Sequence, residues 1–194
     1  MFLGFFIFIM YNGKKGLFMK RLKNQRVYLV GAMDRVPDRG TTWRDDITPF
    51  LEELGVVVFN PISKPASVGL EDNDSHKIKT TLKNNQRYDE LSSLMRTIRN
   101  IDLRMVDISD FLIVNLNLEH YACGTWEELF LCNRSKKPIL IHIEQGKQNT
   151  PDWLFGTLPH QWFFSNWNEL KDYILHINND ENIDNKNRWQ FFNL

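Results

Sequence analysis

DLRMVDISDFLIVNLNLEHYACGTWEEL, residues 102–129, is the stretch on which the fold turns. It opens inside a helical pattern that starts at Tyr88 and runs to Met105, with Leu91, Leu94, Met95 and Ile98 on its apolar face. Asp107 and Asp110 flank a turn, and Phe111-Leu-Ile-Val114 follows as a strand. After a polar loop a second helix begins near Gly124 and runs to about Arg134. Helix, strand and helix in this order make one repeat of an alternating α/β pattern.

The alternation continues in both directions. Toward the N-terminus, Arg26-Val-Tyr-Leu-Val30 is a short strand ending at Gly31, and Ile47, Phe50, Leu51 and Leu54 recur at helical spacing until Gly55. Pro49 either kinks this helix or sits in the first turn of a helix restarted with Thr48 as N-cap. Val56-Val-Val-Phe59 reads as a strand buried on both faces. Residues 61–86 are polar and turn-rich, a long loop that is either a lid or a floppy insertion. Toward the C-terminus, Pro138–Ile143 is a fourth strand, Trp162–Phe164 a shorter fifth, and Trp167–Ile177 an amphipathic helix. The expected class is α/β, a doubly wound parallel sheet of about five strands in one domain, residues 19–178. Ligands bind such sheets outside the carboxyl ends of the strands. Here those are the loops after Val30, Phe59, Leu116 and Ile143.

The ends of the chain read differently. Residues 1–10, MFLGFFIFIM, are too few to span a bilayer as a helix and lack the charge and cleavage site of a signal peptide. Residues 1–18 are expected to be an over-extended start or a disordered leader, a monotopic anchor being the alternative. Residues 179–194 form a polar tail ending in aromatic residues.

Composition narrows the function. The 194 residues carry 24 Lys+Arg and 24 Asp+Glu, so no basic excess points to bulk DNA or RNA as partner. Two cysteines make no framework and five histidines have no ligand spacing, so a reducing, cytoplasmic setting with no metal is expected. Walker A, G-x-G-x-x-G and G-x-S-x-G motifs are all missing from the sequence.

Gly124-Thr-Trp-Glu-Glu128 holds the first candidate residues. Thr125 and Glu128, three apart at a helix start, match a capping box. A carboxylate in a first helical turn also feels the positive end of the helix dipole. Placed at the sheet's carboxyl edge, it is a nucleophile suited to an anomeric carbon. Both readings fit Glu128. Gly124 allows close approach of a substrate to the backbone. Glu127, about 100° around the helix, reads as a surface carboxylate. Asp102 is either a helix-surface charge or, across the sheet edge from Glu128, a group that bonds a nucleobase and protonates the leaving nitrogen. The loop after strand one offers Arg35, Arg39 and Arg44 beside Gly40, for a phosphate or sugar hydroxyl or as solvated charge. Trp43 either stacks on a base or packs. Gly31 and Met33 after strand one, and Asn117 after strand three, complete the candidate binding residues.

Three segments, in this order and spacing between residues 26 and about 143, resemble the nucleoside 2-deoxyribosyltransferase superfamily, which includes 2'-deoxynucleoside 5'-phosphate N-hydrolases. They are Val27-Tyr28-Leu29-Val30-Gly31, Asp102 with the following Ser-Asp-Phe-Leu-Ile-Val run, and Gly124-Thr125-x-x-Glu128-Leu129. The resemblance implies a flavodoxin-like core and a covalent glycosyl intermediate on Glu128. It also implies base contacts from Asp102, and sugar or base contacts from Tyr28. It implies a homo-oligomer in which a neighbour completes the pocket, and a small-molecule nucleoside or nucleotide as partner, with no cofactor and no membrane. In one departure, Ala122 stands where the family places Asp or Ser for the 5' end of the substrate. The expected activity is transfer of the sugar to another base. The alternatives are hydrolysis of a nucleoside 5'-monophosphate and a nucleotide-binding module without turnover.

Overall fold

A computed structural model describes residues 20–34, 36–63, 73–179 and 188–189. The proposed leader, Arg35 and nearly all of the polar tail lie outside the described residues.

Five parallel strands form the sheet: β1 (Arg26–Gly31), β2 (Val57–Phe59), β3 (Phe111–Leu116), β4 (Ile139–Ile143) and β5 (Phe163–Phe164). Their order is β2-β1-β3-β4-β5. The chain therefore winds outward from β1 to β2 and then reverses across β1 to β3, which makes the carboxyl ends of β1 and β3 the switch point. Every residue of β3 and β4 is buried, as runs of Val, Ile, Leu and Phe broken only by Asn115 and His142 require in a sheet covered on both sides.

The helices are α1 (Thr41–Glu53), α2 (Asn73–Asn84), α3 (Tyr88–Ile108), α4 (Cys123–Arg134), α5 (Asp152–Thr157) and α6 (Trp167–Asn179). α3 packs on α4, and α4 covers β1, β3 and β4. α1 meets α6 through the stacked rings of Trp43 and Trp167, 5.3 Å apart and 13° from parallel. Side chains alternate between faces along a strand, so β1 sends Tyr28 and Val30 toward α3 and α4, and Val27 and Leu29 the other way.

Two contacts fix the end of β1. Arg44 of α1 is wholly buried and donates Nε to the Leu29 carbonyl (3.2 Å), Nη1 to that of Gly40 (2.8 Å) and Nη2 to that of Gly31 (3.0 Å). At Gly31, a Cβ would stand 3.0 Å from the Asn115 carbonyl oxygen and 3.1 Å from the Trp43 ring. Glycine is needed there for close approach rather than for a left-handed turn.

Several details differ from the sequence expectations. β2 is an edge strand with Val57 45% exposed, so its apolar run is not buried on both faces. The stretch 61–86 is not loop throughout: it contains α2, whose polar composition hides its helical period. α5 is likewise absent from the periodicity, being only six residues long. α1 runs unbroken through Pro49, and Thr48 caps nothing; its hydroxyl donates back to the Arg44 carbonyl at 2.6 Å.

The three carbonyls held by Arg44 lose their donors together in Arg44→Leu. That variant is expected to unfold about 2–4 kcal/mol more easily, with the denaturant slope unchanged, in a chemical-denaturation series followed by circular dichroism.

Candidate active site

At the carboxyl ends of β1 and β3 a cleft of about 870 Å³ opens between the β1 loop, α2, α3 and the start of α4. Tyr28, Gly31, Met33, Asp102, Gly124, Thr125 and Glu128 all line it, although they come from three separate segments of the chain.

Its centre is the Tyr28 hydroxyl. The tyrosine itself is buried, and its oxygen lies 3.0 Å from Oε1 of Glu128 and 3.3 Å from Oδ1 of Asp102. A phenol carries one proton, so it donates fully to one carboxylate at a time, and the shorter contact is to Glu128. One oxygen thus holds carboxylates from α3 and α4 within hydrogen-bonding reach of itself. Glu128 is 9% exposed, its carboxylate withdrawn from bulk water but lining the cleft.

The local structure of α4 departs from the expected capping box. The N-cap is Ala122, with no side-chain cap bond, and the helix starts at Cys123. Thr125 is then the third helical residue and Glu128 the sixth, beyond the first turn, where the dipole has little effect. The Tyr28 hydroxyl, rather than the helix end, positions this carboxylate. A Cβ on Gly124 would meet no atom within 4 Å, so the position faces open space.

Glu127, on the wall of the same cleft, pairs with Arg99 of α3, whose Nε donates to Oε2 at 2.8 Å. That hydrogen bond holds the Glu127 carboxyl below its ordinary range, against the opposing effect of partial burial. Across the mouth, Lys79 of α2 is buried and donates to Asp34 Oδ1 of the β1 loop at 2.9 Å. Burial works against the Asp34 charge, but Lys79 and His76 together carry its carboxyl below the usual range.

Of the arginine loop, Arg44 alone among the described residues reaches this cleft. Arg44 spends its guanidinium on backbone carbonyls, Arg35 lies outside the described residues, and Arg39 has a buried Nη2 with no hydrogen-bond partner among them. Lys83 and Arg96, which sequence reading passed over, line the cleft from α2 and α3. Only the packing of those two helices brings them there.

Trp43 and Asn117 fall elsewhere. They line a smaller cleft of about 320 Å³ on the other side of the β1 loop, which among the described residues shares only Ala32 with the first. There Nδ1 of His142 lies 2.7 Å from Asn115 Oδ1, and Asn115 Nδ2 donates to Glu144 Oε1 at 2.7 Å. Among the described residues no group of three His, Cys, Asp or Glu side chains forms a metal site, and no helix is long and apolar enough to cross a membrane.

No protein-family model matches the sequence, and no curated protein does either. Solved structures are similar. The 2-deoxyribosyltransferase of Bacillus psychrosaccharolyticus superposes with a TM-score of 0.51 at 16% identity, over 76% of this chain and 91% of that one. A 2-desoxiribosyltransferase from Leishmania mexicana (TM-score 0.41, 19% identity) covers 62% of this chain, which spans 65% of that protein's chain. The CMP N-glycosidase of Clostridium botulinum (TM-score 0.45, 18% identity) covers 79% of this chain and 99% of its own. The likeness to the Bacillus enzyme establishes the flavodoxin-like fold.

Burial pushes the His142 imidazole below its usual value of 6.5, with the Glu144 charge and a hydrogen bond to the Ser165 backbone opposing. The unfolded chain therefore takes up a proton here before the folded one does. Stability from this residue is complete above about pH 6.5 and is lost as pH falls. The thermal midpoint is expected to drop between about pH 7.5 and 5.5, and to drop less in His142→Gln, as read by scanning calorimetry.

Proposed function

We propose that the chain is an enzyme of the nucleoside 2-deoxyribosyltransferase superfamily that breaks the N-glycosidic bond of a (deoxy)nucleoside and passes the sugar to another base. The observation that carries this reading is the Tyr28 hydroxyl in contact with both Glu128 and Asp102 at the floor of an open cleft.

A Glu128 oxygen attacks C1' of the sugar as the bond from C1' to the base nitrogen breaks, and Asp102, entering this half as the carboxylic acid, gives its proton to the departing nitrogen. The products of this half are the free base and a glycosyl ester on Glu128. In the second half an incoming base nitrogen attacks C1', the ester bond breaks, and Asp102 takes back the proton that nitrogen sheds. Tyr28 keeps the two carboxyl groups at the spacing both halves need. The open face at Gly124 leaves room for the sugar beside Glu128. Tyr121, 91% exposed at the edge of the same cleft, is in keeping with a second copy of the chain closing the pocket.

Hydrolysis of a nucleoside 5'-monophosphate is a second reading, favoured by Lys83 and Arg96 on the cleft wall. In that case water replaces the incoming base. Deoxynucleosides and deoxynucleotides incubated with and without an added free base separate the two: an exchanged nucleoside supports transfer, and free sugar or sugar phosphate supports hydrolysis.

Glu128→Ala is expected to lower turnover by about 1,000-fold or more, and Glu127→Ala by no more than a few-fold, in steady-state assays. Equal activity in both variants removes the nucleophile assignment. Gly124→Ala is expected to keep or raise stability by about 0.5–1 kcal/mol while raising KM, because the added methyl group meets substrate and not protein. A thermal melt beside the kinetics checks both halves of that expectation.

A further inference from the structure

The smaller cleft, beyond the β1 loop, has its own ligand chemistry. Trp167 stacks on His142, ring centres 4.3 Å apart, as well as on Trp43, so near-parallel rings from α6, β4 and α1 form one wall. Trp43 and His142 are buried, and Trp167 remains partly exposed as the accessible aromatic surface.

Beside this wall the lining is polar. The Asn115 and Asn117 amide nitrogens both donate to the Glu144 carboxylate, and Gln145 donates to Asn117 Oδ1 at 2.9 Å. Each of these bonds takes one N–H of an amide, and the exposed Glu144 keeps lone pairs for a ligand. Asp46 of α1 is exposed on the same cleft, with no hydrogen-bond or ion-pair partner among the described residues. No lysine or arginine is among the described residues that line it. Such a site repels phosphate. It attracts N–H donors and positive charge, and an indole face favours a flat or cationic group over it.

We propose that this cleft binds a small flat ring bearing a guanidine-like edge, two parallel N–H groups on one side of an aromatic system. The edge pairs with the carboxylates of Glu144 or Asp46 in the two-pronged geometry that suits such donors, and the ring lies against Trp167. A volume of about 320 Å³ holds a one- or two-ring heterocycle and little more. This site does not depend on Glu128 or on the glycosyl reading, because it stands on the far side of the β1 loop.

The probe is 2-aminobenzimidazole, a flat cation with that edge, and the control is benzimidazole, which lacks the exocyclic amine. Titration calorimetry on the full chain, with tryptophan fluorescence alongside, is expected to show one saturable site for the probe. Benzimidazole should bind about tenfold more weakly or less, having only one N–H to offer. Glu144→Gln is expected to weaken the probe several-fold, as is Asp46→Asn, whose exposed side chain supports no packing, while Glu128→Gln leaves binding unchanged. Equal affinity for probe and control, or loss of binding in Glu128→Gln with full retention in both cleft variants, overturns the proposal, and so does the absence of any saturable site.

Discussion

One phenolic oxygen, on the first strand of the sheet, stands between two carboxylates that come from different helices. Tyr28 is buried in β1, Asp102 lies two turns from the end of α3, and Glu128 is in the second turn of α4. No pair of them is close in the sequence. They meet because β1 lies beside β3 at the centre of the sheet, and because α3 leads into β3 and α4 leads out of it. A parallel sheet requires such crossovers, and here the crossovers are also what delivers the acids.

The same switch point explains why the end of β1 is so tightly determined. Gly31 lets the Asn115 carbonyl and the Trp43 ring approach the backbone, and Arg44 ties three carbonyls around it. An arginine used in this way is not available to a substrate. Its role is to hold the loop that divides one cleft from the other. The clefts also differ in chemistry: the larger mixes carboxylates with Lys83, Arg96 and Arg99, and the smaller has carboxylates and indoles with no lysine or arginine among its described lining residues.

The strands were the easiest part to read from the sequence, because buried parallel strands are unbroken apolar runs and this chain has them at β1, β3 and β4. The edge position of β2 was not legible, since Val56–Phe59 looks the same whether one face or two are covered. α2 escaped because its residues, Lys79 and Lys83 among them, answer to a partner acid and a cleft rather than to an apolar stripe. Within the site, the segments carrying Tyr28, Asp102 and Glu128 could be picked out by their order, and the structure brings them to one cleft. How Glu128 is positioned could not be read. A threonine three residues ahead of a glutamate suggests a cap, and only the true start of α4 at Cys123 shows that the partner is a tyrosine 100 residues away. Trp43 and Asn117 sit at the same sheet edge as the rest, and periodicity alone has no means of telling which side of the β1 loop they face.

The central claim, that Glu128 forms a bond to the sugar, is tested most directly by exposing the protein to a 2-fluoro-2-deoxy nucleoside and reading intact and peptide masses. The account predicts the mass of one fluorinated glycosyl group on the peptide that carries Glu128, and none in Glu128→Ala. An adduct on another residue, or free base released with no adduct at any time, would contradict it.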